Sequence, residues 1–183
     1  MERSVIISFA RTPFGKFGGA LKGFSAVSLG IIATKECLKR GKLSGNQLDQ
    51  VIFGQVLAGG CGQIPARQMA LKAGIPVDIP VDQINKVCAS SMRAVTMADQ
   101  MIRSGDVNVV LAGGMESMTN APFFSSDIRW GQRMFDTKFV DLMVNDGLWC
   151  PAYDCHMANH GGRVAVEYGV YREEQDAWAC ERD

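Results

Sequence analysis

The sequence predicts an α/β fold, a mostly parallel sheet with helices on both faces. Three observations lead there. Short β-branched runs alternate with stretches whose apolar residues recur at three- and four-residue steps. Glycine or proline closes nearly every one of these segments. The strand-like runs are apolar almost throughout, as in strands covered on both sides.

The elements follow in order. Residues 4–9 (S-V-I-I-S-F) read as a buried first strand, and residues 10–23 as a glycine-rich loop. Ser25 is placed to cap a helix with Val27, Leu29, Ile31, Ile32 and Leu38 as apolar positions and Gly41 as its stop. Residues 51–57 read as the second strand, followed by Gly59, Gly60 and Gly62, then a short helix over 66–73 ended by Gly74 and Pro76. Residues 81–87 form the next strand. From Ala89 the period changes, and Met92, Val95, Met97, Ala98, Met101 and Ile102 predict a helix buried over much of its circumference, stopped by Gly105. Residues 107–112 are a further strand, closed by Gly113 and Gly114.

The texture changes at Thr119. Proline and aromatics without a clean period predict a loop-rich segment, helical in part over 134–148, with helices near 161–168 and 173–182. The expected division is an α/β domain over 1–118 and part of a loop domain over 119–183.

Composition narrows the function classes. The 183 residues are 47 % hydrophobic, enough for a sizeable core, and 19 Lys and Arg balance 19 Asp and Glu. Neutrality removes the electrostatic argument for a nucleic-acid or acidic-membrane partner. No apolar run approaches the roughly 18 residues of a membrane span, and the first residues are interrupted too early for a secretory signal. Six cysteines (37, 61, 88, 150, 155 and 180) show no framework spacing and suit a reducing compartment, so a cytoplasmic location is expected. Cys150, Cys155, His156 and His160 cluster as C-x4-C-H-x3-H, which does not match structural zinc, and no metal is expected.

Cys88 stands where strand gives way to helix. At the mouth of a helix a thiolate meets unpaired N–H groups and about half a positive charge. Ala89, Ser90 and Ser91 are small, leave the sulfur approachable and bring N–H groups suited to an oxyanion. The local pattern alone reads equally as a buried, inert small residue. In parallel sheets ligands gather at the carboxyl ends of strands, where Cys88 and Gly113-Gly114 both fall.

Several collinear motifs resemble the thiolases. They are A-R-T-P-F-G-K-F-G-G-A-L at 10–21, G-Q-I-P-A-R-Q at 62–68, N-K-V-C-A-S-S-M at 85–92, G-G-M-E-S-M-T-N-A-P at 113–122, and H-M at His156-Met157. The resemblance implies a layered α/β fold of two similar halves and favours the nucleophile reading of Cys88. It implies ping-pong acyl transfer between coenzyme A thioesters, condensing two acetyl-CoA to acetoacetyl-CoA or running in reverse, with no cofactor beyond the thioester substrate. It assigns Cys88 as the acyl carrier and His156 and Met157 as neighbours of the pantetheine arm and thioester, the H-M pair pointing to the short-chain acetyl-CoA C-acetyltransferase type. It further implies a place in fatty acid metabolism, a homo-oligomer in the full-length protein, and dimer contacts near 62–67 and the strand before Cys88.

The chain departs from the family pattern at Ser91, where glycine is usual, and at 158–163 (A-N-H-G-G-R). It reaches Asp183 about halfway along a typical thiolase, before the family's G-H-P histidine, its C-x-G cysteine and its N-E-A asparagine. The alternatives are a non-catalytic thiolase-like subunit that binds acyl-CoA or a homologous partner, and a cysteine–histidine hydrolase using Cys88 with His156 or His160.

Overall fold

All five residues of β1 (Gln50–Gly54) are buried, because this strand lies in the middle of a parallel sheet. β2 (Val81–Ile84) and β3 (Val110–Gly114) flank it in the order β2-β1-β3, with Val51 opposite both Val81 and Leu111. The computed structural model describes residues 3–182 and divides into two compact units at Leu142/Met143.

Alternation along β1 sends its side chains to different helices. Val51 and Phe53 join a core with Ala26 and Val27 of α1 (Ala26–Gly41), Met69 and Ala70 of α2 (Pro65–Ala73), and Leu111. Ile52 and Gly54 face α3 (Ser90–Ser104) on the other side, where a Cβ added to Gly54 would strike Ser90. The sheet is therefore covered on both faces, as predicted.

Helix ends follow local chemistry. Ser25 Oγ accepts from Ser28 N at the start of α1, Pro65 opens α2, and Gly74 and Gly105 take the left-handed conformation that closes α2 and α3. α1 runs one residue past its expected stop: Gly41 is helical, and Lys42 makes the left-handed turn at φ 53°.

Three expectations need correction. Residues 4–9 form no strand, and Ile6 is 80 % exposed. The run has β-forming composition, but a strand exists only as a pair, and no ladder partner lies beside it among the described residues. Its tethers are side-chain ones: Ser4 Oγ donates to Asp99 Oδ1, and Ser8 Oγ donates to Cys37 O.

Second, α3 buries its smallest residues, Ser90, Ala94 and Ala98, spaced by one turn each, while Met92 is 68 % exposed and Val95 is exposed too. Close approach to the sheet selects small side chains, so the larger apolar ones are displaced from the contact.

Third, the strands do not coincide with their apolar runs: β1 ends at Gly54, β2 ends at Ile84 where the chain turns toward Val87, and β3 starts only at Val110 and runs through Gly113 and Gly114. Side-chain oxygens take the N–H groups next to β1 and β3. Glu116 Oε2 accepts from Val56 N and Leu57 N, ending β1 at Gly54. Asp49 Oδ2 accepts from Asn108 N (2.7 Å) and Val109 N (2.9 Å), delaying β3 to Val110.

The first unit also holds a small antiparallel pair, β4 (Phe123–Phe124) with β5 (Val140–Asp141). The second unit begins with a π-type turn at Met143–Leu148. It continues through the hairpin β6 (Trp149–Cys150) and β7 (Cys155–His156) into α4 (Met157–Glu167) and α5 (Arg172–Arg182). No described helix is long and apolar enough to cross a membrane.

An exposed, unpaired β-forming run templates self-association, so the isolated chain should self-associate in sedimentation velocity and Ile6→Lys should reduce this. A wild-type chain that sediments as a monomer would contradict it. Asp49 is held below the usual aspartate range by the backbone N–H groups of Asn108 and then Val109. A depressed folded-state value means its stabilisation is complete above the unfolded value of about 3.9 and is lost as pH falls through the lower folded one. Acid unfolding of Asp49→Asn should therefore show a shallower pH dependence below about pH 4. Identical profiles would contradict this.

Candidate active site

Between Ile84, the last residue of β2, and Ser90, the first of α3, five residues must reverse the chain's course. The reversal is made at Val87, whose φ is 49°. A β-branched residue in the left-handed region costs about 1–2 kcal/mol, so other bonds must impose it.

Those bonds come from Asn85 and Ser90. Asn85 Oδ1 accepts from Val87 N at 2.9 Å, and its Nδ2 donates to Val56 O at 3.3 Å, anchoring the turn to the chain after β1. Ser90, only 4 % exposed, donates from Oγ to Val87 O at 2.6 Å and accepts from Lys86 N at 2.8 Å. Backbone bonds from Ala89 N to Lys86 O and from Ser90 N to Val87 O complete the turn.

The residue displayed by this turn is Cys88, which is exposed. Ala89 is the N-cap of α3 and contributes no side-chain acceptor; Cys88 stands one residue before the cap, at the mouth of the helix.

Glycines at the carboxyl ends of β1 and β3 let the helix mouth come this close. Gly54 pairs with Gly114 in the sheet. A Cβ on Gly54 would lie 2.6 Å from Ser90 C and 2.7 Å from Ser91 N, and one on Gly114 would collide with Ser91 Oγ. Ser91 is accommodated because residue 114 has no side chain.

The other motifs are tied to one another by hydrogen bonds. Asn120 Nδ2 donates to Lys22 O and Phe24 O, and Gly18 N donates to Thr119 Oγ1, joining the glycine-rich loop to the segment after β3. Gln83 Oε1 on β2 accepts from Ala66 N at the start of α2. Arg67 donates to Ile79 O and Val77 O, clamping the loop that leads into β2.

His156 and Met157 belong to the second unit. His156 ends β7 and caps α4, its Nδ1 accepting from Ala158 N at 3.0 Å; Met157 is the first residue of α4 and is exposed. Residues 158–163 form the first turns of that helix. Among the described residues no group of three His, Cys, Asp or Glu is placed to hold a metal ion.

Sequence reasoning missed the structural parts of the turn. Ser90 read as a small neighbour, although its hydroxyl is what fixes the backbone. Asn85 and Glu116 lay inside quoted motifs without a role, and nothing marked Val87, since valine is among the residues least expected at positive φ.

The fold and site define a class: an α/β domain that displays a cysteine at a helix mouth over the carboxyl ends of a parallel sheet. The model for the N-terminal domain of thiolase matches residues 4–182. An acetyl-CoA acetyltransferase of Cupriavidus necator is 47 % identical over 179 residues, and one of Yarrowia lipolytica is 44 % identical over 181. These alignments cover 98 % and 99 % of this chain but 46 % and 45 % of those proteins. The crystal structure of Acat5 thiolase from Ascaris suum in complex with coenzyme A superposes with a TM-score of 0.91 at 38 % identity, covering 98 % of this chain and 47 % of that one. The chain belongs to the thiolase family, and it spans a little under half the length of these relatives.

The turn should be sensitive to its supports. Ser90→Ala removes two hydrogen bonds at a buried site and should cost about 1–3 kcal/mol. Gly54→Ala forces the helix mouth off the sheet and should cost about the same. Urea denaturation of the two variants measures this, and values within about 0.5 kcal/mol of wild type would contradict the assignment.

Proposed function

We propose that this chain carries the acyl-accepting step of a thiolase. Cys88 Sγ attacks the carbonyl carbon of a coenzyme A thioester, the C–S bond to coenzyme A breaks, and the acyl group remains on Cys88 as a thioester. Exchange between two thioesters is nearly isoenergetic, so a soft sulfur nucleophile suits a reversible carrier. The backbone N–H of Cys88 supplies one donor to the oxyanion of the tetrahedral intermediate. The observation that carries the reading is the exposed Cys88 beside the α3 mouth on a turn held by Asn85 and Ser90.

In the whole protein the acetyl group then passes to a second acetyl-CoA to give acetoacetyl-CoA, or the reverse thiolysis occurs. That step draws on catalytic groups that the family keeps in its C-terminal part. His156 and Met157 contact the pantetheine arm and the thioester. β2 is an edge strand in the order β2-β1-β3, which supports self-association along it and a homo-oligomer. The resemblance to the thiolases further implies a cytoplasmic enzyme of fatty acid metabolism.

The test is intact-mass spectrometry of the chain after incubation with acetyl-CoA, with peptide mapping. The expected result is one acetyl group on Cys88, absent in Cys88→Ser. An adduct that persists in Cys88→Ser, or that maps to another cysteine, would contradict the proposal.

A further inference from the structure

The second unit holds a pair of cysteines that the acyl-transfer reading does not use. Cys150 on β6 and Cys155 on β7 are direct cross-strand partners, and both are free thiols. Directly opposed residues of an antiparallel pair have Cα atoms about 4.5–5.5 Å apart, inside the roughly 4.4–6.8 Å range of disulfides. The connecting turn is already shaped. Pro151 has a fixed φ, Asp154 is left-handed at φ 47°, and Trp149 Nε1 donates to Asp154 Oδ1 at 3.1 Å. Closing the ring therefore orders little that is not ordered already.

The two sulfurs also differ in setting. Cys150 is half-buried, whereas Cys155 is buried and lies 3.4 Å from His160 Nε2. The His160 ring is fixed edge-on against Tyr153 of the same turn, with centroids 4.9 Å apart. An accessible thiol, a shielded thiol facing it and a base on the shielded one are the parts of an attacking and resolving pair.

We propose that Cys150 and Cys155 form a reversible disulfide, a thiol-modification site whose oxidant is a low-molecular-weight disulfide such as oxidised glutathione. The Cys150 thiolate attacks one sulfur of the oxidant, giving a mixed disulfide and releasing one equivalent of glutathione thiolate. Cys155 passes its proton to His160 Nε2 and attacks the Cys150 sulfur, expelling the second glutathione. The chain loses two electrons and two protons, and one oxidised glutathione becomes two reduced ones. A thiol reductant reverses both steps. The site stands independently of the role proposed for Cys88.

The experiment treats the native full chain with oxidised glutathione, alkylates the remaining thiols and cleaves at Asp154, between the two cysteines. Wild type should yield the Cys150 and Cys155 fragments joined by a disulfide that dithiothreitol releases. Cys150→Ser and Cys155→Ser should yield no joined fragments. His160→Gln should close the ring at least about ten-fold more slowly while reaching the same final fraction. The proposal is overturned by a stable glutathione adduct on Cys150 with Cys155 still open to alkylation, or by linkage of either residue to Cys37, Cys61, Cys88 or Cys180. Closure as fast in the urea-unfolded chain, or in His160→Gln, would equally overturn it.

Discussion

Val87 is held in a conformation that valine does not choose, and the placement of Cys88 depends on it. The left-handed turn costs about 1–2 kcal/mol, and the Asn85 and Ser90 side chains supply three hydrogen bonds to Lys86 and Val87 that only this geometry satisfies. Strain of this kind persists where surrounding bonds over-determine it. Here it turns the chain so that the cysteine projects at the helix mouth while the serine beside it points into the protein.

The turn in turn needs the sheet. α3 approaches β1 and β3 closely because Gly54 and Gly114 are opposite each other in the ladder and carry no side chains. The same proximity explains why α3 buries Ser90, Ala94 and Ala98 in preference to Met92 or Val95. Small residues at one interface thus fix three things together: the distance from helix to sheet, the orientation of the helix mouth, and the larger apolar side chains left on the exposed face.

The order of elements was legible in the sequence, and so was the position of Cys88. Alternating β-branched runs and three-to-four periods identified β1, β2, β3, α1, α2 and α3, and Gly105 marked the end of α3. Strand ends were not legible, because the carboxylates of Glu116 and Asp49, distant in sequence, accept the backbone N–H groups just after β1 and just before β3. Residues 4–9 illustrate the complementary limit: composition reports a preference for extended structure but cannot supply a neighbour to pair with. At the site, Cys88 was marked by its setting at a strand-to-helix junction. The left-handed valine that displays it carried no mark, since glycine and asparagine are the residues that signal such turns.

The central claim is that this turn presents Cys88 for reaction, and native-state alkylation with iodoacetamide tests it most directly. Cys180, on α5, is also exposed and serves as the internal reference for simple accessibility. The account predicts that Cys88 is alkylated faster than Cys180 in the folded chain and that this advantage disappears in urea. Equal rates for the two cysteines in the folded chain, or a Cys88 advantage that survives unfolding, would contradict it.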